Sequence, residues 1–115
     1  MNRTIEQIFT GFSVGGVSIP VKYMYYQGHG EPYVTYMHQS YDNELRGDDA
    51  LIGVADYYDF DVYAKGNFEQ IILKVKELLE ASGWVWIPSR SGIDMYETDT
   101  HYYHKTLCFM ILKEG

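Results

Sequence analysis

The run from Ala50 to Tyr63 constrains this chain most, because it alternates between two different chemistries without a break. Successive side chains of an extended strand point to opposite faces, so Tyr58, Phe60 and Val62 fall on one side and Tyr57, Asp59, Asp61 and Tyr63 on the other. The first side suits a core; the second meets water or a partner. A fold built on this strand needs a covering layer on one face only.

The next segment supplies that layer. Phe68, Ile71, Ile72, Val75, Leu78 and Leu79 recur at helical spacing behind Asn67, a good N-cap residue with Gln70 three places on, as in a capping box. Ser82-Gly83 closes the helix, with Gly83 suited to the left-handed position past its end. Glu69, Lys76, Glu77 and Glu80 make the opposite, solvated face. A second stripe, Ile5, Ile8, Phe9 and Phe12, predicts an N-terminal helix capped by Asn2 or Thr4 and ended by Gly15-Gly16.

The remaining segments read as strands and turns. Val17 to Tyr26 alternates and is entered through Pro20, 27–32 is a turn, and Tyr33 to Tyr41 is the returning strand of an antiparallel hairpin. Asp42 to Asp49, with Asp42, Glu44, Asp48 and Asp49 against Arg46 alone, predicts a solvated acidic loop. Trp84 to Ile87 is a short strand ended by Pro88, and 89–92 is a flexible connection. The last strand spans about His101 to Leu112; both of its faces are apolar near its end, as in a strand central to its sheet. The order is α-β-β-β-α-β-β. It predicts one α+β domain over 1–115, a mainly antiparallel β-sheet with two helices packed on one face.

The chain carries 9 Lys and Arg against 16 Asp and Glu, a formal charge of -7, so its average surface repels phosphate. Apolar runs are short and broken, which predicts no membrane association and folding in the cytoplasm of the producing cell. Twelve tyrosines sit in 115 residues. Tyrosine is a good strand former, and it is also enriched at interfaces, where its ring gives contact area and its hydroxyl tolerates water. For the set as a whole, a subunit interface that includes Tyr57 and Tyr63 is the better account.

Candidates for chemistry fail on spacing. A metal needs convergent ligands, yet His101 and His104 fall on opposite faces of a strand, His29 is in a turn, and Cys108 lies between Leu107 and Phe109 as a buried thiol. Asp59 and Asp61 share a face and could in principle divide acid and base roles, but alternating aspartates are more often solvated or paired with a basic group of another chain. No phosphate-binding loop, nucleophile elbow or Cys-x-x-Cys occurs. No catalytic residue, metal ligand or cofactor is assigned.

Several stretches then resemble the small tail completion, or tail terminator, proteins of long-tailed bacteriophages and prophages. They are Ser18-Ile-Pro-Val-Lys22, Pro32-Tyr-Val-Thr-Tyr36, Tyr58-Asp-Phe-Asp-Val-Tyr63, and above all Asp94-Met-Tyr-Glu-Thr-Asp99 followed by Tyr103-His-Lys-Thr-Leu107. The resemblance implies a structural virion protein of the tail, not an enzyme, assembled in the cytoplasm of the bacterial host. It implies a ring of this chain, typically of six subunits, that ends the tail tube and joins a head-completion or connector protein, with DNA passing unbound through its lumen. In such a ring the uncovered, tyrosine-rich sheet face is expected to pack against the next subunit through Tyr57, Asp59, Asp61 and Tyr63. Two loops are expected to meet axial partners or line the channel: Asp42, Glu44, Asp48 and Asp49 in one, Arg90, Asp94, Glu97 and Asp99 in the other. The alternatives are a head-closure or adaptor protein of the same neck, and a small α+β enzyme or ligand-binding domain using Asp94 to His104.

Overall fold

The alternating strand is the spine of a six-stranded sheet. In the computed structural model, which describes residues 2–26, 32–47 and 50–114 and the side chains of 3–26, 32–39 and 55–112, the chain is mixed α+β. A helix α1 (Asn2–Ile8) leads to a small hairpin of β1 (Ser13–Val14) and β2 (Val17–Ser18), then β3 (Val21–Tyr23). Two long strands follow, β4 (Tyr33–Gly47) and β5 (Ala50–Ala64). Helix α2 (Phe68–Ala81), β6 (Val85–Trp86), a 3-10 turn at Pro88–Arg90, β7 (Met95–Glu97) and β8 (Tyr102–Glu114) complete the chain. The sheet order is β3-β4-β5-β8-β6, with β7 also pairing β8. Strands of fifteen residues are about 50 Å long, which accounts for the 52 Å long axis of a molecule only 27 and 23 Å across.

The core lies where the alternation requires it. Ile71, Ile72, Val75 and Leu79 of α2 are buried in one cluster with Tyr58, Phe60 and Val62 of β5, Leu107 and Phe109 of β8, and Ile5 and Phe9 from the N-terminus. Both helices thus load the same sheet face. Phe60 is at its centre, with rings of Phe9, Tyr36, Trp84 and Phe109 about 6 Å from it. Past α2, the amides of Ser82 and Trp84 bond Leu79 O and that of Gly83 bonds Glu80 O, and Gly83 has φ 89°, the left-handed ending its sequence predicts.

Five expectations need correction. Asn67 precedes α2 but has φ 56° and makes no side-chain cap bond, so no capping box forms; its carbonyl instead accepts from Ile71 N. The N-terminal helix stops at Ile8, with Phe9 and Phe12 buried beyond it through a turn that Gly11 takes at φ 67°. A helix this short holds through its packing rather than by itself. Gly15-Gly16, at φ 59° and 80°, is then the tight turn between β1 and β2, where both central residues need positive φ.

The expected hairpin between Val17–Tyr26 and Tyr33–Tyr41 is also different. Pro20 interrupts the first strand, and β3 runs parallel to β4, with Val21, Lys22 and Tyr23 opposite Val34, Thr35 and Tyr36. The antiparallel mate of β4 is β5. The expected acidic loop, finally, is strand as far as Gly47. Asp42 pairs with Ala55 and Gly47 with Ala50, across register shifts that let β4 bulge. Asp42 and Glu44 belong to β4, and Asp48 and Asp49 lie outside the described residues. Among the described residues no helix is long and apolar enough to cross a membrane.

Candidate functional surface: the helix-free face

Tyr57, Asp59, Asp61 and Tyr63 share the sheet face that α1 and α2 leave uncovered. Register brings Met110, Cys108, Thr106 and His104 of β8 beside them, and Met37, Thr35 and Tyr33 of β4 opposite Asp59, Asp61 and Tyr63. None of these neighbours is near β5 in sequence.

Asp61 is the centre of one cluster. Its Oδ1 is 3.0 Å from His104 Nε2 and also accepts the Thr106 hydroxyl. A carboxylate can only accept, which places the His104 proton on Nε2. Above this pair, Tyr33 stacks on Tyr63 at 4.6 Å and Tyr63 on His104 at 4.1 Å, both within 17° of parallel, while Tyr26 extends the row at 4.9 Å. Burial, with Asp61 close by, pushes the Tyr63 hydroxyl up to about 12. Rings stacked this way occupy one another's faces, so the row offers edges and hydroxyls to a neighbour rather than a flat platform for a base or sugar.

Asp59 anchors the second cluster. Gln39 Nε2 donates to it over 3.1 Å, Arg90 Nη1 donates to Gln39 Oε1 over 3.4 Å, and the Cys108 thiol lies 3.8 Å from the same oxygen. Burial, then the charge of Asp61, raises the Asp59 carboxyl above its ordinary value. Arg90 lies 3.8 Å over the ring of Tyr57, which is buried with Ala55 and Cys108 and flanked by Ile87 and Met110. The Cys108 thiol is pushed up to about 11 by burial and by Asp59, the direction opposite to that of a nucleophile.

A loop secures the second cluster from the sheet margin. β6 and β7 both pair with β8, and between them the chain leaves the sheet at Ile87, whose amide bonds Cys108 O, and returns at Gly92, whose amide bonds Thr106 O. The excursion removes the backbone partner of the Cys108 amide. Ser91 Oγ replaces it at 2.9 Å, accepts Trp86 Nε1 at 3.0 Å and donates to Ile87 O at 2.9 Å. One hydroxyl thus satisfies three backbone or ring groups.

The second expected partner loop is not a single loop. Arg90 sits in the 3-10 turn and reaches the helix-free face. Asp94 pairs with Lys105 at 2.9 Å, Glu97 is the last residue of β7, and Asp99 lies exposed in the turn from β7 to β8. His101, at φ 62°, bonds Tyr96 OH at 2.9 Å, and so does not converge with His104. His38 pairs instead with Asp56, at 3.2 Å. Among the described residues, no three His, Cys, Asp or Glu side chains are grouped to hold a metal ion.

Sequence reasoning placed Asp59, Asp61 and the two tyrosines but missed Gln39, Ser91, His104 and Thr106 as their partners. Alternation gives a residue's face; only register gives its neighbours. Comparison of the chain with known protein families and with curated proteins finds no match.

Proposed function

We propose that this chain is a ring-forming structural protein of a long-tailed bacteriophage, which caps the head-proximal end of the tail tube and joins it to the head connector. The observation that carries the reading is the division of the sheet. One face is a core under both helices, while the other is a laid-out surface of tyrosine rings and bonded carboxylates with no nucleophile among them. Such a surface serves contact rather than chemistry, because its carboxylates are committed to donors of the same face while the Tyr33–Tyr63 row offers edges and hydroxyls to a neighbour. The sequence resemblance supplies the tail role, and the formal charge of -7 suits a lumen through which DNA passes unbound.

Negative-stain micrographs of the protein mixed with purified tail tubes test this. Rings are expected at one end of each tube, and tube assembly should stop at a set length when the protein is added. Bare tube ends at saturating protein would overturn the proposal. Binding to capped heads in place of tubes would move it to the head side of the neck.

A further inference from the structure

Among the described residues the two lateral edges of the sheet are unpaired, and they are complementary. At one edge β3 pairs only with β4, and at the other β7 pairs only with β8 among the described residues. Unpaired strand edges are templates for another strand. Large apolar side chains gather at both: Tyr23, Met24 and Tyr25 beside the first, Ile93, Met95 and Tyr96 beside the second, from 44% to 78% exposed. The two edge strands carry opposite charges: Lys22 lies exposed on β3 and Glu97 on β7, with Asp99 in the turn after it, and none of the three is in an ion pair with a described residue.

The faces also match. Lys22 is level with Thr35, and so with Asp61, on the helix-free side. Glu97 is level with Tyr102, whose ring meets Tyr33 on that same side. Tyr23 and Tyr96 point the other way, toward Tyr36 and Tyr103. β3 is parallel to β4 and β7 antiparallel to β8, so the two edges meet antiparallel when one copy is set beside the next in the same orientation.

We infer that a second copy of this chain docks edge to edge, β7 against β3 of its neighbour, with Glu97 opposite Lys22 and Tyr96 opposite Tyr23. Opposite charges and paired aromatics directly across an antiparallel pair are the favourable cross-strand contacts. The contact uses different surfaces on the two copies, so it propagates head to tail, and it closes as a ring when the rotation between copies divides a full turn. Lys22 is level with Thr106 and Glu97 with Tyr102, a difference of four positions, so neighbours are offset along the strands by about 13 Å. A closed sheet of tilted strands requires a stagger of that kind. The seam leaves the helix-free face uncovered. It rests on the self-association proposed above and not on any tail partner.

Sedimentation equilibrium of the purified protein tests the seam. Lys22→Glu and Glu97→Lys are each expected to weaken self-association about tenfold, and the two together to restore it. As a second measurement, Lys22→Cys with Glu97→Cys should give a ladder of covalent oligomers under mild oxidation, since the two positions lie on opposite edges of one chain. Wild-type protein that associates, with an unchanged constant in the swaps and no ladder, would overturn the seam and leave the ring reading standing. Wild-type protein that stays monomeric up to about 1 mM would overturn the seam as well, and leave the ring reading to the micrographs with tail tubes.

Discussion

The two faces of β5 are built from alternate residues of one strand, yet they pack by different rules. On the covered face the rings around Phe60 meet it at every angle: Trp84 at 82°, Phe109 at 85°, Phe9 at 44° and Tyr36 at 28°. On the helix-free face, Tyr33, Tyr63 and His104 lie within 17° of parallel, above carboxylates held by side-chain donors. Rings at mixed angles fill a volume between two layers, whereas a parallel row covers a single surface. The difference separates what holds the molecule together from what it can show a neighbour.

The largest effect should come from the covered face. Phe60→Ala removes the ring at the centre of the cluster and is expected to cost about 3–5 kcal/mol of stability by urea denaturation. A loss below about 1 kcal/mol would mean that this face is not the core. Ser91→Ala should cost less, about 1–3 kcal/mol, because the Cys108 amide and the Trp86 indole both lose their acceptor. An unchanged urea midpoint would show that the hydroxyl is not what ties this loop to β8.

The smallest effect distinguishes the faces by pH. Folding raises the Asp59 carboxyl above 3.8, so the folded chain holds this proton more tightly than the unfolded chain does. Ionised Asp59 therefore costs stability. The cost is absent below 3.8, grows as pH rises through the folded value, and is constant above it. Asp59→Asn should accordingly raise the urea midpoint at pH 7 and leave it unchanged near pH 3. An equal gain at both values would exclude burial of the charge as the reason.

The legible parts of this fold were those with a long, clean period. The α2 stripe and the two faces of β5 stand as the sequence predicts, and β8 is an inner strand with partners on both sides, one place from the edge rather than central. What failed was short or depended on partners. Pro20 and the turn at Met24, φ 68°, set β3 parallel to β4, and nothing local in Val21-Lys22-Tyr23 distinguishes that from a hairpin arm. Asp42 and Glu44 looked like loop because they are acidic, but pairing with β5 outweighs the low strand preference of single residues. In the candidate surface, Asp61 and His104 are 43 residues apart and Gln39 and Arg90 are 51 apart, so their meeting is a property of the sheet order.

Cys108 has one more consequence. Its sulfur is the only thiol in the chain, fully buried at the centre of the sheet and shifted up to about 11. A thiol reagent can reach it when the 87–92 loop and the Gln39–Arg90 pair lift from the helix-free face, so its labelling rate counts openings of that cover. The chain therefore carries its own clock for the loosening of that face, one that needs no engineered cysteine.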